Sequence, residues 1–183
     1  MQPAKTTSFP YSFEADGRYP NNAPSMIAGA TPFLACVPNS SMSWWFPKST
    51  CTDLQGGFIQ AHNSNQAPIP VPNSSVAQRE LWDAIGQTLA SGLLLNTTAR
   101  FEQLINGLVY ELFFPEDLHA TGIRLFGACE CEHSTPLATL QGAALQTEAE
   151  ALAERIFSNS HPIYAMLFDL QALEVVRITE ARD

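Results

Sequence analysis

Apolar residues in the second half of the chain repeat at the spacing of amphipathic helices. Ser75 followed by Gln78 is typical of a capping box, and the pair predicts a helix over about 75–91. A second stripe predicts another helix, antiparallel to the first, that stops at Pro115. The apolar faces of these two helices are Trp82, Ile85 and Leu89, then Phe101, Leu104, Ile105, Leu108 and Leu112.

Shorter patterns follow the two helices. The apolar run 123–126 predicts a short strand, and residues 163–173 predict a further short helix. Between them, Leu145, Ala149, Leu152 and Ile156 form one face of a third helix, whose opposite face carries Glu148, Glu150 and Glu154. An acidic face of this kind is most simply a solvated one.

The first 75 residues are loop-rich and hold ten of the 13 prolines. Short apolar runs between turn residues predict strands over 11–13, 25–27 and 57–60. Residues 32–37 and 43–46 flank a polar turn, and they fit either two short helices or two strands.

Together these patterns predict an α+β fold. Its loop-rich N-terminal half packs short strands on the antiparallel helical hairpin, and a helical C-terminal region follows. The predicted organisation is a loop- and strand-rich recognition region over 1–75, the hairpin with a short strand of the same domain over 76–126, and an acidic, mainly helical appendage over 127–183.

Composition and charge limit the classes of protein to which the chain can belong. With 45% hydrophobic and 15% charged residues the chain is expected to fold. No run is long and apolar enough to cross a membrane, and residues 1–8 are largely polar, so we expect a cytoplasmic protein without membrane contact. The net charge is −9. Residues 111–183 hold 12 acidic and 4 basic side chains, so they repel a polyanion.

Known catalytic motifs are missing from the sequence. It contains no phosphate-binding glycine loop, no His-Glu-x-x-His and no Gly-x-Ser-x-Gly. The four cysteines are too few for a disulfide framework. Cys129, Cys131 and His133 would share one side of an extended segment, but a fourth metal ligand is lacking, so they fit either a metal site or ordinary small residues that are buried or half-exposed. The isolated histidines His62, His119 and His161 are expected to be structural, with His161 starting a helix before Pro162.

One segment has a composition suited to binding nucleic acid. No acidic residue occurs from Leu54 to Arg79, and amide and hydroxyl side chains are dense there. Lys, Ser and Thr can hold phosphates, Gln and Asn can contact base edges, and a glycine pair permits close backbone approach. The same composition also fits a polar surface loop. The residues proposed for DNA contact are Lys48, Ser49, Thr50, Gln55, Gly56, Gly57, Gln60, His62 and Asn63.

Several motifs in this part of the chain occur in a familiar order. An apolar run ends in Asn39-Ser40, and an aromatic segment follows at 44–46. Then come a Gly-Gly-Phe-Ile-Gln stretch at 56–60, an Ala-Pro-Ile-Pro-Val-Pro turn at 67–72, and Val-Tyr-Glu-Leu at 109–112. Over residues 9–126 this order resembles the TaqI-like C-terminal specificity domain, the target-recognition part of adenine-specific DNA methyltransferases and type IIG restriction-modification enzymes.

The resemblance implies a DNA-recognition role without chemistry. Val37-Pro38 departs from the family's Ile-Leu, and the Asn-Pro-Pro-Tyr or Asn-Pro-Pro-Phe motif of the catalytic part is missing. S-adenosylmethionine is therefore expected only on a separate adenine methyltransferase subunit or domain. In this interpretation Lys48, Ser49, Thr50 and the glycine pair hold phosphates, and Gln55, Gln60, His62 and Asn63 face bases.

The sequence thus favours a non-catalytic DNA target-recognition module of a restriction-modification system. It would bind DNA weakly alone and well only with its catalytic partner. The alternative is a protein-interaction module or remnant that binds a partner through its helices and never touches DNA. The net charge of −9 favours that alternative.

Overall fold

The computed structural model describes residues 5–6, 27, 29–54, 58–60, 68–90, 97–132 and 137–180. For 5–6, 52–54, 58–60, 87–88, 90 and 138 it describes the backbone alone. Within these ranges lie nine α-helices and one short 3₁₀ helix, Leu137–Thr139. The α-helices are α1 Pro32–Asn39, α2 Ser41–Thr50, α3 Val76–Ala90, α4 Thr98–Phe113, α5 Pro115–Ala120, α6 Leu125–Cys131, α7 Gly142–Ile156, α8 Pro162–Leu170 and α9 Glu174–Thr179.

Three strands of two or three residues form a small antiparallel sheet. They are β1 Lys5–Thr6, β2 Thr52–Leu54 and β3 Phe58–Gln60, in the order β1-β3-β2. β3 pairs Gln60 with Lys5 on one side and with Thr52 on the other. Such short strands do not make a layer on which helices could pack.

The predicted α+β class is therefore wrong, because the described part of the chain is all-α. Its core comes from the helices and from the short segments that join them. The predicted strand over 123–126 is also wrong: the run ends inside α6, which begins at Leu125. A four-residue apolar run fits a buried helix end as well as a strand. Ile27 lies in no strand, and the predicted strand over 11–13 lies outside the described residues.

The long helices follow their predicted stripes. Ser75 N donates to Gln78 Oε1 at 2.8 Å, and Gln78 N donates to Ser75 Oγ at 3.2 Å, so the capping box before α3 is confirmed. The predicted faces of α3, α4 and α7 lie in the core or pack against it. Beyond α4, Pro115 stops one helix and starts the next, because proline suits the first helical turn. The helix predicted over 163–173 ends at Leu170, and α9 follows as a separate helix.

The segment between residues 32 and 50 is a pair of helices, which decides between the two predicted alternatives. Thr31 Oγ1 accepts from Leu34 N and begins α1, and Pro38 precedes its last residue. Ser40 separates the helices: its Oγ donates to Val37 O at 2.7 Å and accepts from Ser43 N at 3.2 Å. One serine therefore ends α1 and caps α2.

Side chains from distant helices complete the first turns of three helices. Asp83 Oδ1 on α3 accepts from Phe33 N of α1 at 3.2 Å. On α4, Asn106 Oδ1 accepts from Ser41 N, and Glu111 Oε2 accepts from Phe126 N of α6, both at 2.9 Å. The first N–H groups of a helix have no partner within it, so these bonds join the helices as well as capping them.

Gly107 marks a close approach between helices. A Cβ at this position of α4 would lie 2.6 Å from Leu167 Cδ2 of α8 and 2.7 Å from Leu125 Cδ1 of α6. Both leucines are fully buried. The lack of a side chain therefore allows three helices to meet.

Replacing Gly107 by Ala is expected to lower the free energy of unfolding by about 1–3 kcal/mol, because the methyl group overpacks a buried contact. Gly127→Ala is the matched control: a Cβ there meets nothing within 4 Å, and alanine favours a helix by about 0.5–1 kcal/mol. Urea denaturation followed by circular dichroism measures both. Equal effects of the two substitutions would contradict the proposed close approach.

Candidate functional site

Three of the residues proposed for DNA contact lie in the last turns of α2. Lys48, Ser49 and Thr50 are exposed there, and Lys48 Nζ lies 5.9 Å from the centre of the Trp44 ring. Ser49 Oγ and Thr50 Oγ1 donate to Phe46 O at 2.7 and 3.0 Å. In this conformation the two hydroxyls have no hydrogen left for a phosphate. The C-terminal end of a helix also favours a cation over an anion, which suits Lys48.

The other proposed contacts lie mainly outside the described residues. Gln55, Gly56, Gly57, His62 and Asn63 belong to those segments. The backbone of Gln60 is described, and it pairs in β3 between β1 and β2. A role in DNA contact stays a prediction for all nine residues.

The cysteine motif does not have the extended geometry that a metal site needed. Cys129 and Cys131 lie on α6, where Cys129 is buried and Cys131 is exposed. Burial, with a smaller effect of nearby carboxylates, raises the pKa of the Cys129 thiol to about 12. His133 lies outside the described residues. No cluster of three or more histidine, cysteine or acidic side chains suited to a metal occurs within the part that the structure describes.

The described histidines join helices. His119 Nε2 lies 2.9 Å from Glu111 Oε1, and Glu111 is buried. His161 caps α8, since its Nδ1 accepts from Ile163 N at 3.2 Å, which confirms the predicted helix start. Its Nε2 lies 2.8 Å from Glu132 Oε1. These contacts give His119 and His161 structural partners, while His62 lies outside the described residues.

Glu132 is the common partner of His161 and Arg155. Arg155 Nε donates to Glu132 Oε2 at 2.9 Å. Burial raises the pKa of the Glu132 carboxyl, but hydrogen bonds from Arg155 and His161 outweigh that effect and hold the pKa below its ordinary value. The stabilisation is therefore present at neutral pH and is lost as the pH falls through the lowered pKa.

An open groove of about 730 Å³ lies on the described surface. We call it the α2–α9 groove, because α2 and α9 supply most of its apolar side chains, with α5 and the residues around it forming the rest. Its lining residues are Met42, Trp45, Phe114, Glu116, Asp117, Ala120, Thr121, Leu173, Glu174, Val175, Ile178 and Thr179.

The apolar part of the groove combines exposed and supported side chains. Trp45 is 45% exposed and Ile178 is 63% exposed, so two large apolar side chains are open to solvent on one surface. Phe114 also lines the groove and stacks on Tyr110, with ring centres 6.5 Å apart. Tyr110 Oη in turn donates to Glu180 Oε1 at 3.2 Å, so the end of α9 is held against α4.

The charged residues described in the groove are all acidic. Glu116 and Asp117 lie in the first turn of α5, and Glu174 lies in the first turn of α9. All three are exposed, and none of the described residues that line the groove is a lysine or arginine. The hydroxyls of Thr121 and Thr179 donate to Leu118 O and Val175 O, so the groove offers carboxylates as its outward polar groups.

The sequence analysis did not predict this groove. Its residues come from segments more than 50 positions apart, so no local pattern indicates it. A partial signal exists: Trp44-Trp45-Phe46 and Val175-Val176 supply more apolar residues than one buried helix face requires.

Comparisons with known proteins gave no match to a family model, to a curated protein or to a solved structure. None of the helices within the described ranges is both long and apolar enough to span a membrane.

Proposed function

We propose that the chain is the DNA target-recognition part of a restriction-modification or adenine-specific DNA methyltransferase system. It carries out no chemistry itself. A separate catalytic part binds S-adenosylmethionine, transfers the methyl group and supplies most of the positive charge that DNA binding needs. The proposal places both in the cytoplasm.

The observation that carries the proposal is the order of structural elements along the motifs of the resemblance. The apolar run and the aromatic segment form α1 and α2, and the Gly-Gly-Phe stretch leads into β3. The proline-rich turn precedes α3, and the Val-Tyr-Glu-Leu motif lies in α4. A strand after the glycine pair and a helix after the turn are what the resemblance implies.

Charge explains why a partner is part of the proposal. A chain with net charge −9 releases few counterions from DNA, so binding alone is weak. The acidic residues concentrate after residue 110, which leaves the preceding part nearly neutral, with 5 basic and 6 acidic side chains. A basic partner beside that part would supply the missing attraction.

The test begins with the reading frame beside the one for this chain. We expect it to encode an Asn-Pro-Pro-Tyr or Asn-Pro-Pro-Phe methyltransferase without a recognition domain. The full chain mixed with that protein should direct adenine methylation to one sequence. Neither protein alone should do so. A methyltransferase with the same site preference in the absence of the chain would overturn the proposal.

Two substitutions separate base contact from phosphate contact in that complex. Gln60→Ala is expected to cost about 1–3 kcal/mol on the cognate sequence and to relax preference at one position. Lys48→Ala should weaken binding to all sequences alike and lower the salt slope by about one unit. Mobility shifts over a range of salt concentrations measure both effects.

Arg177→Ala is the control for the loss of one positive charge, since Arg177 is also exposed and lies on α9, in the acidic last third of the chain. If Arg177→Ala weakens DNA binding as much as Lys48→Ala does, only net charge matters and Lys48 is not a phosphate contact. Unchanged affinity and preference in Gln60→Ala would remove Gln60 from the recognition surface.

A second candidate function is protein interaction through the helices. The α2–α9 groove favours it, because an exposed apolar patch with polar residues at its edge is typical of a protein-binding surface. The two functions are compatible, since a recognition subunit that needs a catalytic partner must also bind it.

A further inference from the structure

We infer that the α2–α9 groove binds an amphipathic helix of a partner protein, with apolar residues on one face of that helix and lysine or arginine beside them. This inference rests on the second candidate function and names the class of its partner. It is independent of any contact between Lys48 or Gln60 and DNA.

The shape of the groove suits a helix. It is open to solvent, and its apolar side chains come from separate walls: Met42 and Trp45 on α2, and Val175 and Ile178 on α9. An apolar helix face lies in such a groove with anchors at positions i, i+3, i+4 and i+7. A small ligand is usually enclosed on most of its surface, which an open groove does not provide.

A helix-binding groove needs an anchor residue that is both large and accessible to the partner, and Trp45 meets both conditions. It is 45% exposed, so a partner can bury much of its ring. Tryptophan is among the residues that contribute most to binding at interfaces. Phe114 is a second large lining residue, and its stacking on Tyr110 holds it in place.

The carboxylates of the groove favour a partner helix with positive charge. Glu116, Asp117 and Glu174 line the groove, and the part of the chain that the structure describes adds no positive side chain to this lining. None of the three has an ion pair among the residues that the structure describes. Each lies in the first turn of its own helix, where a carboxylate is favourable, but that effect does not require all three to meet at one groove.

The same charge disfavours a second copy of the chain as the occupant. Two copies would bring together surfaces from molecules of net charge −9 each. Like charges across an interface cost binding free energy and slow association. A basic helix gains attraction from the same carboxylates.

The experiment uses the full chain and three synthetic helical peptides with identical leucine faces. Their remaining positions are lysine, glutamate or glutamine. Fluorescence anisotropy of labelled peptide should show that the lysine peptide binds at least about tenfold more tightly than the glutamate peptide, and that added salt weakens its binding.

Variants assign the binding to the groove. Trp45→Ala should weaken the binding of the lysine peptide by about tenfold or more. Phe168→Ala is the matched control, because Phe168 is 72% exposed and does not line the groove. Glu174→Gln with Glu116→Gln should reduce the salt dependence, whereas Glu154→Gln with Glu130→Gln, on exposed positions elsewhere, should leave it unchanged.

The outcomes separate this inference from the functions it accompanies. Equal binding of all three peptides, abolished by Trp45→Ala, would keep the groove as a protein-binding surface and overturn the basic partner. Failure of every peptide to bind, or equal loss in Trp45→Ala and Phe168→Ala, would overturn docking at the groove altogether. Neither result changes the sequence preference that tests DNA recognition.

Discussion

Replacing Trp82 by Ala is expected to lower the free energy of unfolding by about 3–5 kcal/mol. Trp82 is fully buried on α3, and its ring contacts Phe33 of α1 at 5.7 Å and Phe126 of α6 at 6.3 Å between ring centres. Removal of the indole leaves a cavity where three helices meet. Denaturation by urea, followed by circular dichroism, gives the change.

Trp45→Ala is the matched control for Trp82→Ala. Both remove an indole, but Trp45 is 45% exposed. Its substitution should change the free energy of unfolding by less than about 1 kcal/mol. If Trp82→Ala costs no more than Trp45→Ala, the helices do not pack around Trp82 as described.

Replacing Glu111 by Ala is expected to cost about 3 kcal/mol of stability. Glu111 is 6% exposed, and its two oxygens contact His119 Nε2 and accept from Phe126 N, each at 2.9 Å. The substitution leaves the Phe126 N–H buried without its partner. It also removes the link between α4 and the first turn of α6.

Two further variants separate the loss of this link from a general charge effect. Glu111→Gln keeps an oxygen for Phe126 N and should recover part of the stability. Glu154→Ala removes an exposed carboxylate and should change stability by less than about 0.5 kcal/mol. Thermal unfolding compares the three variants. A cost for Glu111→Ala as small as that for Glu154→Ala would contradict the capping role.

The helices that the sequence predicted well are those with long apolar stripes. α3, α4 and α7 each have at least 15 residues, so their faces and ends leave a clear local pattern. The capping box of Ser75 and Gln78 involves neighbours in the sequence, and such a signal can be found without knowledge of the fold.

The short helices depend on partners that no local pattern contains. The side chain of Asp83 accepts a hydrogen bond from a backbone N–H of α1, 50 residues away. The side chain of Asn106 accepts one from a backbone N–H of α2, 65 residues away. α6 has seven residues, and the N–H of its Phe126 donates to the Glu111 carboxylate of α4. Because helices this short are marginal alone, tertiary contacts decide their conformation.

The groove was beyond prediction for a related reason. Trp45 and Ile178 are 133 positions apart in the sequence, and each taken singly resembles an ordinary exposed apolar residue. Only the packing of α9 against α2 brings them to one surface. The folded structure also brings the acidic residues of α5 and α9 together at this groove.

The burial of two cysteines also determines how the chain responds to oxidants. Cys36, like Cys129, has a thiol whose pKa burial raises to about 12. Near neutral pH only about one such thiol in 100,000 is present as the thiolate, the form that reacts with peroxide or with a disulfide. Cys131 is exposed on α6. Oxidative damage, glutathione adducts and covalent dimers would therefore start at Cys131 or at the half-buried Cys51, while Cys36 and Cys129 in the core stay reduced.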